Sequence, residues 1–293
     1  MNSEEGQMGT IDTLDGATTS RPPQPTLAKH RNPKRPLIVR LGKRFRFVVN
    51  RIVIRYSVVE DAPVLDRAQF PWLLDLERAA PQIRAEADTI LGHLNAVPPM
   101  NEMSPDHRRI AGDGGWRAFF LFAYGYRIGP NCVRCPETVK ALAKVPGLVT
   151  AMYSVLEPGM HVGRHRGVSK GILICHLGLR VPIERQRCHM DVDGHEVLWT
   201  NNETHVFDDT YPHEVWNDTD EFRTILLVQF RRPMRLVGRV VAGLFIWAVK
   251  HSPYLQDGLR NVDHWENILA ASERSKKDRR AQDVRVVLRK PSL

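Results

Sequence analysis

The stretch that decides the fold is residues 204–230, THVFDDTYPHEVWNDTDEFRTILLVQF. Thr204 to Phe207, His213 to Trp216 and Phe222 to Phe230 each read as a short strand, rich in β-branched and aromatic residues. Asn217-Asp218 supplies turn chemistry between the second and the third. His213 ends one strand and Arg223, ten residues on, opens the next. An imidazole and a guanidinium so placed can face one pocket. The imidazole can hold a metal, and the planar guanidinium can hold a dicarboxylate through a bidentate pair better than a lysine could.

Working outward, the same pattern begins at Leu148. Val149 to Leu156, Gly171 to Val181, Cys188 to Val192 and Glu196 to Trp199 are further strand candidates. Glu157-Pro158-Gly159, Asp193-Gly194 and Asn201-Asn202 punctuate them as turns. Many short strands at regular spacing indicate a sandwich or barrel, and a mainly β core arranged as a double-sheet jelly roll fits. That core is expected over residues 148–232. Residues 37–147 are expected to be its helical preface. Ile38, Leu41, Phe45, Val48 and Ile52 keep a helical period, as do Leu73, Leu76, Ala79, Ile83, Ala87 and Ile90, with Pro81 expected to kink or break that second helix. Pro98 to Gly115 reads as a polar loop, Trp116 to Tyr126 as a strand, and Pro136 to Lys144 as a short helix. A helical region is expected over 233–271, a disordered arm over 1–36 and a charged disordered tail over 272–293.

Forty-two Lys and Arg against 33 Asp and Glu give a net charge of +9. Ten of the basic residues fall between Lys29 and Arg55, with no acid among them. A solvated arm, anionic lipid and an acidic partner all suit such a run. Base-reading motifs are absent, so specific nucleic-acid recognition is not expected. The helix over Leu37 to Ser57 can lie on an anionic membrane or pack on its own domain, and packing is the preferred placement. Cys132 and Cys135 form a CxxC without a second pair, and read as two reduced thiols in a loop. The N-terminus lacks an apolar signal core and Val240 to Val249 is too short to span a bilayer, so a cytoplasmic location, with membrane association open, is the expectation.

Three further segments accompany His213 and Arg223: Ser154-Val155-Leu156-Glu157-Pro158-Gly159 to His165-Arg166-Gly167, His176-Leu177-Gly178-Leu179, and Phe207-Asp208-Asp209. Together, from about Phe70 to Met234, they resemble the aspartyl/asparaginyl β-hydroxylase family. Ser252-Pro253-Tyr254 to Trp265 resembles the C-terminal helix of its bacterial members. The resemblance implies a double-stranded β-helix, cupin-like, using Fe(II), 2-oxoglutarate and dioxygen. It implies that His165 and His213 bind the iron, that Arg223 and Ser154 hold the distal carboxylate of 2-oxoglutarate, and that His176 lies near the chelating carboxylate. Asp209 would hydrogen-bond a water on the metal. Non-haem iron sites usually add a carboxylate two residues after the first histidine. Here that position is Gly167, the residue expected in this family.

One departure stands out. Where the family typically has Arg two residues before His176, this chain has Ile174. The loss removes a charge-assisted contact of about 1.5–3 kcal/mol. Arg180 shares the strand parity of Ile174 but lies far along the strand, and Arg164, Arg166 and Lys170 are other candidates to reach in. Three readings follow. The first is a dioxygenase hydroxylating the β-carbon of an Asp or Asn residue in a peptide or protein. The second keeps the mechanism and changes the substrate to a lipid A-type acyl chain at the membrane surface, although such enzymes tend to read His-Arg-Asp where this chain has His165-Arg166-Gly167. The third is a metal- and 2-oxoglutarate-binding module without turnover.

Overall fold

The computed structural model describes residues 37–103, 110, 112 and 114–288. The arm expected over 1–36 and the end of the tail, 289–293, lie outside the described residues. The chain divides into two compact units, Met1–Leu41 and Gly42–Leu293, and the second holds everything that follows.

Two antiparallel sheets form the core. The larger has seven strands, β1 (Val64–Leu65), β2 (Trp116–Ala123), β3 (Tyr126–Arg127), β4 (Leu148–Leu156), β6 (Ile172–Arg180), β9 (Thr204–Phe207) and β11 (Arg223–Arg231), in the order β1-β9-β6-β11-β4-β2-β3. The smaller has four, β5 (Met160–His165), β7 (Cys188–Val192), β8 (His195–Leu198) and β10 (His213–Asn217), in the order β5-β10-β7-β8. From β4 onward the chain passes repeatedly between the sheets, which is the jelly-roll path. Met152, Leu156, Ile174, Phe207 and Ile225 of the larger sheet share one buried cluster with Val162, Met190, Val192, Val197 and Val215 of the smaller. That cluster is the interior of the roll.

Helices flank the sheets. α1 is Leu37–Arg55, α2 Leu73–Leu91, α3 Met100–Met103, α4 Gly129–Arg134, α5 Pro136–Leu142, α6 Leu236–Lys250 and α7 Pro253–Leu288. α2 lays Leu73, Leu76, Ala80, Ile83, Ala87 and Ile90 against Leu173, Cys175 and Leu177 of β6 and Leu226, Val228 and Phe230 of β11. It runs unbroken through Pro81, where a kink or break was expected. Its buried stripe on both sides of the proline outweighs the lost backbone bond. Cys132 and Cys135 are free and buried, the first within α4 and the second closing it, rather than in a loop. Burial pushes the Cys135 thiol up to about 12, which keeps it an inert thiol.

The helical region after β11 is two helices, parted at Ser252-Pro253, and α7 continues through the segment expected to be a disordered tail. Distant partners tie down the start of that segment. Arg134 holds Glu266 and Glu273, the latter with two bonds of 2.8 Å, and His93 meets Ser272 at 2.8 Å. Composition alone does not reveal such ties.

Gly178 tests the packing of the roll. Its carbonyl accepts from Asn202, its amide donates to Glu203, and a Cβ built on it would meet the Thr200 carbonyl oxygen at 2.1 Å. Gly178→Ala is expected to cost ~1–3 kcal/mol by overpacking, read as a lower urea midpoint at unchanged slope.

Candidate active site

The register of the small sheet places one histidine opposite the other. β5 pairs antiparallel with β10 so that His165 faces His213, and their ring centroids lie 4.0 Å apart. His165 Nδ1 meets the Gly163 carbonyl at 2.8 Å, and His213 Nδ1 meets the Tyr211 carbonyl at 3.1 Å. A carbonyl only accepts, so each Nδ1 carries the proton and each Nε2 keeps its lone pair. Burial lowers both imidazoles, His213 to about 4 with His165 adding to the effect, so both stay neutral at ordinary pH. Two neutral, convergent imidazoles with fixed tautomers are what a divalent metal needs.

Across the roll, β11 pairs with β4 and β6 so that Arg223 opposes Leu156, Ser154 opposes Ile225 and His176 opposes Leu227. Residues directly opposite share a face, and residues two apart on a strand share it too. Arg223, Ser154 and His176 therefore all point inward. Arg223 is 3% exposed, stacks over Trp199 at 4.5 Å and has no hydrogen-bond partner at Nε or Nη1. Burial lowers its pKa to about 10, so it remains a cation. The Ser154 hydroxyl accepts from Trp116 Nε1 at 3.0 Å. His176 Nδ1 accepts from Trp199 Nε1 at 3.3 Å, while its Nε2 is buried without a partner. Burial, and then the charge of Arg223, hold His176 well below the usual imidazole range. A chain of contacts links these groups to the histidine pair: Arg223 on Trp199, Trp199 to His176, His176 edge-on to Phe207 at 4.9 Å, and Phe207 to His213 at 5.6 Å.

Asp209 completes the set from the β9–β10 loop. The Gly167 amide donates to the Asp209 backbone carbonyl at 2.6 Å. A Cβ on Gly167 would lie 2.1–2.2 Å from the Asp209 carboxyl atoms. The carboxyl of Asp209 thus fills the space that a side chain at 167 would need. Burial, and then the neighbouring Asp208, push it up to about 7. Among the described residues no group of three His, Cys, Asp or Glu converges as a metal cage.

Among the described residues nothing basic takes the place opposite Ile174. Ile174 is buried and pairs with Phe207 on one side and Gln229 on the other. The Gln229 Oε1 is buried without a partner. Arg180 does not stand in. A register shift between Thr224 and Ile225 pairs it with Thr224, and its guanidinium turns outward to Asp88. Lys170 is held by Asp61 and Asp208, Arg164 lies 3.7 Å from Asp191, and Arg166 is exposed.

Three residues to which the sequence reading gives no role at the site hold it in shape. Asp208, fully buried, takes one Arg232 N–H and sits 3.0 Å from Lys170 Nζ, while its other oxygen accepts from Thr210 Oγ1 at 2.6 Å. Arg232 also donates to the Lys170 and Glu60 carbonyls. Asn217 is the third. Its amide donates to the Leu156, Glu157 and Glu221 carbonyls, which ties the start of β11 to the end of β4.

The fit to the expected cofactors is therefore positive on this chain's own atoms: two free Nε2 lone pairs for a metal, and a buried cation with unpartnered N–H groups for a carboxylate. Comparison with known proteins points the same way. The family model described as "Aspartyl/Asparaginyl beta-hydroxylase" matches residues 77–233. An "Ornithine lipid ester-linked acyl 2-hydroxylase" from Rhizobium tropici is 37% identical over 213 residues, 73% of this chain and 76% of that protein. The human "Aspartyl/asparaginyl beta-hydroxylase" is 31% identical over 134 residues, 44% of this chain but 17% of that protein. A solved "2OG-Fe(II) oxygenase family" oxidoreductase from Burkholderia pseudomallei aligns with a TM-score of 0.35 at 13% identity, over 43% of this chain and 72% of that one.

The Asp208 network gives a direct test. Asp208→Ala leaves the Arg232 guanidinium buried without its counter-charge and is expected to destabilise the protein by ~3–5 kcal/mol, measured by denaturant unfolding.

Proposed function

The chain belongs to the aspartyl/asparaginyl β-hydroxylase family, and we propose that it is an Fe(II)- and 2-oxoglutarate-dependent dioxygenase that hydroxylates carbon 2 of an acyl chain ester-linked in a lipid. The observation that carries the cosubstrate half of this reading is Arg223. Leaving two guanidinium nitrogens, Nε and Nη1, buried and unpaired is costly, and acceptor oxygens of a carboxylate at this guanidinium reduce that cost. In this reading His165 and His213 hold the iron through Nε2. Arg223 receives the distal carboxylate of 2-oxoglutarate, and the Ser154 hydroxyl, already accepting from Trp116, donates its own proton to the same group. His176 offers its unpartnered Nε2 near the other end of the cosubstrate. Asp209 would supply a carboxyl from the position that Gly167 leaves free.

The bound cofactors would supply the oxidising power: 2-oxoglutarate is decarboxylated to succinate and CO2, one oxygen atom of dioxygen enters succinate, and the other becomes the new hydroxyl. The chain's own contribution is to bind, orient and shield. Trp199, Phe207 and Ile174 keep the interior apolar around the charged groups, which strengthens each electrostatic contact made there.

The substrate assignment rests on the longer and closer match to the acyl 2-hydroxylase. The second reading, the β-carbon of an Asp or Asn residue in a protein, is favoured by the family description and the human relative. The two substrates share local chemistry, a carbon bonded directly to a carbonyl carbon, so one reaction centre suits both.

Succinate release and oxygen incorporation, followed by mass spectrometry with iron, ascorbate and 2-oxoglutarate, test both readings. Addition of an ester-linked acyl lipid is expected to stimulate succinate release and yield a 2-hydroxyacyl product. Turnover of an Asp-containing peptide but not of the lipid would replace the first substrate by the second. His213→Ala is expected to abolish turnover. Arg223→Met is expected to raise the KM for 2-oxoglutarate roughly 10- to 150-fold, the equivalent of about 1.5–3 kcal/mol. An unchanged KM would remove Arg223 from the anchor role.

A further inference from the structure

We propose that α6, together with the second half of α1, is a docking surface for the anionic face of a lipid bilayer. α6 divides cleanly by helical position. Gly238, Ala242 and Ile246 are buried. Leu236, Val237, Val240, Leu244 and Trp247 occupy the opposite face, within roughly 100° of the helix circumference, and are 67%, 47%, 53%, 63% and 61% exposed. A solvent-facing stripe of this kind, ending in a tryptophan, is not what a helix needs to stay on its own domain. It is what an interfacial helix presents to acyl chains and headgroups.

α1 extends the surface. Its inward face is used: Arg46 donates to the Gly167 carbonyl at 3.0 Å, Asn50 accepts from the Lys170 amide, and Val53 is buried with Met234 and Ala242. Its outward face carries Phe47, 82% exposed, and Val48, beside the exposed Arg51 and Arg55. Arg235 and Arg239 add exposed positive charge at the start of α6. Apolar side chains interleaved with arginines, and no acid within either helix, match an anionic bilayer in chemistry and in sign. A second copy of this chain would place like charges together. No helix among the described residues is long and apolar enough to cross a membrane, so the contact is made on the surface.

Position links the surface to the chemistry. The loop after His165 is clasped by these two helices: α1 bonds Gly167 and Lys170, and a side chain at Gly171 would strike Ala242 of α6. The inner faces of the two docking helices thus hold the loop that follows the first histidine of the pair. For its purpose the proposal rests on the acyl-lipid reading. Its geometry stands without that reading.

Flotation of the full chain with vesicles, without cofactors and without turnover, tests the docking alone. Vesicles of equimolar phosphatidylglycerol and phosphatidylcholine are expected to carry the protein, and phosphatidylcholine vesicles to carry at least tenfold less. Leu244→Glu combined with Trp247→Glu, both exposed and so compatible with an unchanged circular dichroism spectrum and Tm, is expected to lower binding to anionic vesicles at least tenfold. Arg51→Glu with Arg55→Glu is expected to lower it and to flatten its salt dependence. Equal binding by the wild type and both double variants overturns the proposal. So does a wild-type dimer in sedimentation that the Leu244→Glu, Trp247→Glu variant dissolves, since the stripe would then be covered by a second copy. Turnover of a short-chain, water-soluble acyl ester, measured separately, reports on the catalytic reading. Vesicle binding without that turnover upholds the surface while sinking the acyl substrate.

Discussion

The site depends on one buried ion pair. Asp208 and Arg232 are both fully removed from water, and neither would be tolerated there alone. Their pairing fixes two otherwise unconnected loops. Through Asp208 it sets the turn from Phe207 to His213, with Thr210 hydrogen-bonded to the same carboxylate. Through the Lys170 carbonyl and the Gly171 carbonyl, which accept from Arg232 side chain and backbone respectively, it sets the loop that follows His165. His165 and His213 lie at the ends of these loops. Their 4.0 Å approach is thus a consequence of register between β5 and β10, held at one end by an ion pair that touches neither ring. Buried pairs add little net stability over an apolar substitute, and their value here is geometric, because the pair is satisfied only with both loops in place.

The inner face of the large sheet is built against the ordinary rule that buried polar groups find partners. Arg223 Nε and Nη1, His176 Nε2, His205 Nε2 and Gln229 Oε1 are all buried and unpaired. Arg223, His176 and His205 face the interior from adjacent strands, β11, β6 and β9. A fold that leaves this many groups unsatisfied along one face carries a standing cost that a polar ligand can offset. Ile174 interrupts the row. It adds apolar surface where a cation would have supported a carboxylate, and its neighbour Gln229 brings only a neutral amide. Among the described residues the positive charge of this face is therefore concentrated in Arg223, which stacks on Trp199.

Most of the core was legible because its strands combine β-branched runs with turn residues that the backbone uses. Asp193 and Gly194 have φ of 52° and 86°, the pairing a tight hairpin requires, and Asn202 and Gly159 are also left-handed. The strand that carries His165 was not legible. Met160 to His165 has only Met160 and Val162 as large apolar residues, and it is a strand because β10 pairs with it, a fact of tertiary structure. Arg180 shows the converse. Counting along β6 gives it the parity of Ile174 and His176, but the shift between Thr224 and Ile225 breaks the count. The role of Arg232 was equally hidden, since a basic residue after a strand has no local mark that separates a buried counter-ion from a solvated side chain. The residues of the candidate site itself were found through motif resemblance; the structure pairs His165 with His213 and turns Ser154, His176 and Arg223 to the inner face of the larger sheet, while Asp209 packs against Gly167.

Gly167 and Asp209 explain why the missing carboxylate on β5 is not a simple deletion. A glycine two residues after His165 would ordinarily leave a void, and a void in a packed interior forfeits contacts. Here the void is filled by the Asp209 carboxyl, which arrives from the loop set by the Asp208–Arg232 pair and is held by the Gly167 amide on its own carbonyl. The two positions are exclusive, because any Cβ at 167 would overlap the carboxyl. Restoring an acid at 167 would therefore not add a third group to the histidine pair. It would expel Asp209, pull on the turn that Asp208 anchors, and move His213. The placement of this carboxyl is a property of the loop packing rather than of the strand motif, and burial and Asp208 next to it favour its protonated form.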